Sequence, residues 1–306
     1  MINLQNLFLK LFNNDKYRNI KYLEKRKNNL DHYNSNIYKK ILNNNKTIKN
    51  KKELNFVHSG HLGDIVYSLA TIKKLSETHV CNLFIKINKV MPVKYANHPS
   101  GNVYLDKRIT ELFIPLIKKQ KFINNADIYK NEDIDIDLDL FREIPIEIKF
   151  HSIRWYMHLT GIQVDMEKPF LEVDEHDNIK NYIVIVRSPR NRNDFVSYNF
   201  LNNVKEKIIC IGLKEEFEDL RKEIHNLEFY DCKDFLELSK IIKSCRLFIG
   251  NLSFAYSVAE GLKVPRLLEA SPNFPVVFPV GKKAYDFYHQ VHFELFFKKL
   301  YEETKN

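Results

Sequence analysis

The sequence predicts an α/β protein of two doubly wound domains, each a parallel sheet flanked by helices. From residue 54, short apolar runs of strand length alternate with segments of helical spacing, the order that implies parallel strands joined by crossover helices. The same alternation starts afresh at Tyr182. Between the two series lies a polar, acidic interval with Pro169 and Asp174-Glu175-His176-Asp177, which reads as a linker. A length of 306 residues suits two domains of ordinary size plus appendages.

The residues before 54 contain neither glycine nor proline. Leu4, Leu7, Phe8, Leu11 and Phe12 recur at i, i+3, i+4, i+7 and i+8, the stripe of an amphipathic helix. Weaker helical patterns follow at Tyr17, Ile20, Tyr22 and Leu23, and at Tyr33, Ile37, Tyr38 and Ile41. This basic helical arm, residues 1–52, holds thirteen basic against three acidic residues, a net of +10. The rest of the chain carries −1, so the overall +9 belongs to the arm. Three partners suit it: the protein body, an anionic membrane surface along which it lies in plane, or a nucleic acid.

Leu54 to Val57 then forms a strand that breaks into His58-Ser59-Gly60-His61-Leu62-Gly63-Asp64, and Leu62, Ile65, Val66, Leu69, Ile72 and Leu75 follow with helical spacing. Two of the eight glycines, Gly60 and Gly63, fall in this turn. A missing Cβ there lets a ligand approach the backbone, and the helix N-terminus offers N–H groups and positive dipole to an anion. Asp64 sits at the mouth, either stabilising the first helical turn or facing the ligand as a base.

Further along the first half, Val80 to Ile87 reads as a strand, Met91 to Gly101 as a loop, Ile109 to Ile117 as a helix, and Phe122-Ile123 and Ile128-Tyr129 as short strand pieces. Asp133 to Leu140 alternates acidic and apolar residues, the period of an exposed edge strand whose charges oppose aggregation. Ile148 to Leu159 reads as a helix closing at Gly161. In the second half, strands are expected at Tyr182 to Val186, Lys207 to Ile211 with Gly212 at its end, Leu227 to Tyr230, Arg246 to Ile249 with Gly250 at its end, and Arg266 to Glu269. Helices are expected at Glu215 to Ile224, at Phe235 to Ser244, and from an N-cap at Ser253 to about Glu260, ended by Gly261. Tyr285 to Tyr301 reads as a final helix. The expected boundaries are thus 1–52, 53–166, 167–179 (linker), 180–284 and 285–306.

Composition excludes several classes. With 44% hydrophobic residues and a mean hydropathy of −0.39, the chain reads as a globular protein without a membrane-spanning run. The N-terminus lacks the small-residue cleavage site of a signal peptide. Cys81, Cys210, Cys232 and Cys245 are scattered, which suits a reducing compartment and disfavours structural zinc. The expected location is cytoplasmic, peripheral to a membrane if the arm anchors there. The Gly60–Gly63 turn has neither P-loop nor dinucleotide-fingerprint spacing. His58, His61 and Asp64 as a metal site, or the Asp-x-Asp repeats as one, are weaker readings, and no metal or other cofactor is expected.

In open parallel sheets ligands lie beyond the carboxyl ends of strands. After Val186 comes Arg187-Ser188-Pro189-Arg190-Asn191-Arg192, three arginines suited to phosphate. After Ile249 comes Gly250-Asn251-Leu252-Ser253-Phe254-Ala255-Tyr256-Ser257-Val258-Ala259-Glu260-Gly261-Leu262-Lys263-Val264-Pro265, a second helix N-terminus at a strand end. Together with the early Gly63-Asp64, this stretch resembles the heptosyltransferase-like (family 9-like) glycosyltransferases. That resemblance implies the GT-B fold, two Rossmann-like domains facing each other, with a C-terminal helix crossing back to the first domain.

The resemblance also implies an inverting, metal-independent transfer of a sugar from a nucleotide-diphosphate donor to a hydroxyl acceptor. It assigns Asp64 as catalytic base and puts Asn251, Ser253 and Tyr256 at the donor phosphates. His61 is the substitute base, and Gly63, Arg187, Ser188, Arg190, Gly212, Phe254 and Glu260 complete the donor-side candidates. The family usually has His where Tyr256 stands and Pro where Ala70 stands, which marks a divergent branch. The alternative is a non-catalytic nucleotide-sugar or nucleic-acid binding protein that works through its basic arm.

Overall fold

β1 (Glu53–His58) holds Leu54 and Phe56 with no exposed surface, and β2 (Val80–Ile85) is buried from Cys81 onward. Strands covered on both faces read as unbroken apolar runs, and here they pair in parallel. The computed structural model describes residues 4–93, 98–145 and 150–304, with side chains from Phe8 onward. In the first half, α1 (Leu4–Phe12), α2 (Asn14–His32), a π-helical turn (Tyr33–Ile37) and α3 (Tyr38–Asn50) precede β1. Then come α4 (Leu62–Leu75), β2, α5 (Lys107–Lys118), β3 (Asn125–Ile128), β4 (Ile136–Asp137), a 3₁₀ helix (Leu138–Glu143) and α6 (Ser152–Thr160). The sheet order is β3-β2-β1-β4, with every pair parallel.

The second half contains β5 (Ile183–Val186), a 3₁₀ helix (Asn199–Asn203), β6 (Ile208–Cys210), α7 (Lys214–Arg221), β7 (Leu227–Phe229), α8 (Phe235–Ser244) and β8 (Leu247–Asn251). α9 (Phe254–Leu262), β9 (Arg266–Glu269), β10 (Ala284–Phe287) and α10 (Gln290–Glu303) complete it. Its sheet runs β10-β9-β8-β5-β6-β7, again parallel throughout. One hydrophobic core extends from Leu54 and Ile65 in the first half to Phe248 and Ala259 in the second, because α4 packs on α9 and α5 on α8. A separate core lies on the other face of the second sheet. Among the described residues no helix is long and apolar enough to cross a membrane.

Four sequence expectations are corrected. The acidic run is not a long edge strand: pairing with β1 stops after Asp137, whose side chain accepts from the Asp139 amide at 2.8 Å and turns the chain into the 3₁₀ helix. Asp139 is thereby buried. Gly261 does not end α9; it lies inside the helix, where a Cβ would come within 2.8 Å of Leu171, and Lys263 adopts the left-handed conformation (φ 56°) that closes it. The final segment does not begin as a helix, since Ala284–Phe287 is the edge strand β10 beside β9. Nor does α10 cross to the first domain. Its buried Phe293, Phe297 and Leu300 cover the second sheet over Ile183 and Leu267.

The linker is no loose tether, because Phe170 and Leu171 are buried and both their amides donate to the Gly261 carbonyl. The start expected for α6 at Ile148 lies outside the described residues, and the helix closes at Gly161 in the left-handed conformation (φ 71°). The arm divides in two. α2 buries no side chain, whereas Ile37 is fully buried in the first-domain core and Asn44 donates to the Leu159 carbonyl at 3.1 Å. Accordingly, Ile37→Ala should lower unfolding free energy by about 2–5 kcal/mol, as for other core Ile truncations, while removal of residues 1–30 should leave it nearly unchanged. Urea unfolding followed by far-UV circular dichroism checks both.

Candidate active site

α4 begins at the turn that follows β1, and α9 begins just beyond β8. A methyl group placed on Gly63 would lie 3.7 Å from Ser257 Oγ and 4.0 Å from the Ser253 carbonyl oxygen, so the first turns of the two helices touch. Tyr67, one turn further along α4, is near enough for the charges of Tyr256 and of Glu260, one turn further along α9, to act on it, so the packed helices run in the same direction. Both N-termini therefore open on one cleft between the halves. The loop after β5 borders it too, since the charge of Arg190 acts on His61 and His98 of the first domain.

On the first-domain side, Asp64 is about one-quarter exposed and its Oδ2 accepts from Arg142 Nη2. The Arg142 guanidinium also bonds Asp139, lies 4.4 Å from the Phe141 ring centre and 5.2 Å from that of Tyr104, and covers the backbone of Gly60 so closely that a side chain there would overlap it. Gly60 serves this approach. Asp139 is the buried end of the network: it accepts from the Ser59 amide at 2.7 Å and from the Ser59 hydroxyl, and sits 3.2 Å from His58 Nδ1. His58 Nε2 lies 2.9 Å from the Tyr156 hydroxyl. Burial alone would raise the Asp139 pKa, yet His58, Arg142 and Ser59 together hold its carboxyl far below the usual range.

His61 stands at the N-cap position of α4 and packs against Tyr104 and His98, with ring centres at 4.9 and 5.6 Å. Burial pushes its pKa down to about 4; Asp64 opposes the shift, and Arg190, Arg142 and His98 add to it. The imidazole is neutral at pH 7. His98 is lowered as well, by burial and by Arg190.

The second-domain candidates separate into two sets. Ser253 caps α9, its Oγ accepting from the Tyr256 amide at 3.3 Å, and Phe254 meets Phe113 of the first domain edge to face and packs at a tilt on Phe235 of its own domain. Ser188, Arg190 and Ser253 border the cleft. Arg187, Asn251, Tyr256 and Glu260 are engaged inside the fold, whereas Gly212 is exposed. Arg187 is buried, with Nε 2.7 Å from Glu269 Oε2 and its guanidinium over the Tyr198 ring. Asn251 ties β8 to the loop after β5, accepting from the Ser188 amide at 3.1 Å and donating to its carbonyl at 2.6 Å. Glu260, fully buried, accepts from the buried Arg266 Nε at 2.6 Å and from the partly buried Lys263. Tyr256 has no exposed surface and packs near Phe248, and Gly212 (φ 157°) adjoins the buried Glu216 carboxylate.

Arg142, Ser59 and Tyr156 were not singled out from sequence, and His58 and Asp139 entered only through the weaker metal-site readings. The one signal was the acidic alternation, and it was read as a solvated face. Asp135 pairs with Lys51 and accepts from the Asn55 amide, and Asp137 caps the 3₁₀ helix, so each is used locally. Among the described residues no group of three or more His, Cys, Asp or Glu side chains is arranged to hold a metal ion.

No protein-family model and no curated protein sequence matches the chain. Solved structures do. A glycosyl transferase family 9 protein from Veillonella parvula is 13% identical, with a TM-score of 0.53 over 81% of this chain and 89% of its own. The E. coli heptosyltransferase WaaC with ADP is 10% identical, with a TM-score of 0.57 over 81% and 99%. E. coli ADP-heptose LPS heptosyltransferase II is 11% identical, with a TM-score of 0.54 over 83% and 100%. The chain thus resembles the heptosyltransferase-like glycosyltransferases in fold over most of its length, with two facing α/β halves built on parallel sheets.

Two outcomes are expected from this network. Asp139→Ala leaves the Arg142 charge and the Ser59 amide without their buried partner, and should cost about 3–5 kcal/mol in urea unfolding. Second, His61 and His151, which burial likewise pushes down to about 4, bind fewer protons folded than unfolded. Their contribution is complete above the unfolded value of 6.5 and is lost as pH falls from there towards 4. The urea midpoint should therefore drop between pH 7 and pH 5, and drop less in a His61→Asn, His151→Asn double variant.

Proposed function

We propose that the protein is a glycosyltransferase that moves a sugar from a nucleotide-diphosphate donor to a hydroxyl acceptor, with inversion and without a metal ion. The observation that carries this reading is the meeting of the Asp64 turn with the N-terminus of α9 at a single cleft. Single displacement needs a group that removes the acceptor proton as its oxygen attacks the anomeric carbon. It also needs stabilisation of the diphosphate that leaves from the opposite face. The first half brings a carboxylate and the second brings helix N–H groups and Arg190, so the two requirements are met from opposite sides.

In this mechanism Arg142 holds Asp64 Oδ2, and Oδ1 accepts the proton. The Ser253 turn and Arg190 receive the charge that develops on the diphosphate, the role a cation fills elsewhere. Asp64 is preferred to His61 because burial has lowered the imidazole to about 4, which removes its advantage as a base near neutrality. The resemblance in fold to proteins solved with ADP and with an ADP-heptose analogue points to a nucleoside diphosphate as the donor's leaving group. The buried Tyr256 and the internal pairs of Arg187 and Glu260 move the donor contacts to Ser188, Arg190 and Ser253.

The test begins with thermal shift and calorimetry against ADP, UDP and GDP, since a ligand of the native state raises its melting temperature. Arg190→Ala should weaken the nucleotide that binds by about 1.5–3 kcal/mol, the range for a charged hydrogen bond. With the cognate donor and acceptor, Asp64→Asn should leave nucleotide affinity within about twofold and lower turnover by roughly 10²–10⁴-fold. Near-normal turnover, or activity abolished by a chelator, would defeat the mechanism.

A further inference from the structure

We propose that α1 and α2 form a surface that binds an anionic lipid bilayer. Nineteen residues of α2 bury no side chain. At the end of α1, Phe8, Leu11 and Phe12 expose 62%, 71% and 73% of their surface within five residues. Side chains of this size left in water forgo the main favourable term of folding, and a partner that buries them recovers it.

The chemistry of the face selects the partner. Along α2, Arg18, Tyr22, Arg26 and Leu30 succeed one another at intervals of four and so share a side of the helix, with Tyr22 and Leu30 exposed. Guanidinium groups interleaved with aromatic and aliphatic side chains match the headgroup level of a membrane, where charges meet phosphates and the apolar bodies sink towards the acyl chains. Residues 4–32 carry seven basic against three acidic side chains, which opposes pairing with a second copy and favours an anionic surface. A polynucleotide would use the cations and leave the Phe8, Leu11 and Phe12 cluster in water.

A groove at the root of the arm points the same way. Tyr22, Tyr33, Ile144 and Pro145, with Lys25 and Arg26, line an open trough of about 520 Å³. Apolar walls with two cations suit an acyl chain beneath a phosphate. The trough lies where the arm is joined to the first domain, by Lys40 to Glu143 at 2.7 Å and by His32 Nε2, 3.2 Å from the Glu143 carbonyl oxygen.

The experiment is cosedimentation of the full chain with vesicles of phosphatidylcholine, with and without phosphatidylglycerol. It needs no sugar donor and stands apart from the transferase reading. Binding is expected only with phosphatidylglycerol. It should fall about tenfold or more both in a Phe8→Glu, Leu11→Glu, Phe12→Glu variant and in an Arg18→Glu, Arg26→Glu variant. Melting temperatures should be unchanged, and alanine counterparts replace any glutamate variant that shifts them. Equal binding to both vesicles, or phosphatidylglycerol binding untouched by loss of the apolar trio, would overturn the proposal. So would polyuridylate that displaces the vesicles and depends on the arginines alone.

Discussion

A buried carboxylate organises the first-domain face of the cleft. Asp139 is buried, where an unpaired charge is costly, so its partners are held as firmly as it is. It fixes the Ser59 amide at the end of β1, and it holds Arg142, which in turn holds Asp64. The side chain proposed to act on substrate thus takes its position from one that does not reach it. Gly60 belongs to the same arrangement, because only a residue without a side chain lets the guanidinium lie across the turn.

The second domain repeats the pattern with opposite roles. Glu269, fully buried at the end of β9, accepts from Arg187, from the Asn193 amide and from the Tyr198 hydroxyl, and so shapes the arginine-rich loop from beneath. Glu260 with Arg266 and Lys263 fixes the far end of α9. The residues that most resembled ligand contacts in the sequence include several that build the frame. Arg190, Ser188 and Ser253 remain at its edge.

Much of the architecture was legible because parallel strands buried on both faces announce themselves as apolar runs, and because Gly63-Asp64 and Asn251-Leu252-Ser253 punctuate strand–helix junctions. The corrected elements share a cause. Alternation in residues 133–140 satisfies a strand and a strand-to-3₁₀ turn equally until Asp137 caps one of them. Gly261 looks like a helix stop until Leu171 and Phe170 are packed against it. The two ends of the chain were read from local stripes, while their docking is decided by surfaces distant in sequence: α6 receives α3, and the second sheet receives α10. The Asp64–Arg142–Asp139 chain joins positions 78 and 3 residues apart, and no local pattern contains it.

The close approach of Gly63 to α9 has a consequence for how ligands are met. Two halves that share a core resist rotation against one another, because turning them would part the apolar contacts of α4 with α9 and of α5 with α8. The entropy of bringing the proposed base and the proposed leaving-group site together is then small in the binding step. In the proposed reaction, ligand binding energy need not drive a wide hinge, and the motion that admits a donor and releases a product falls to the loops at the strand ends.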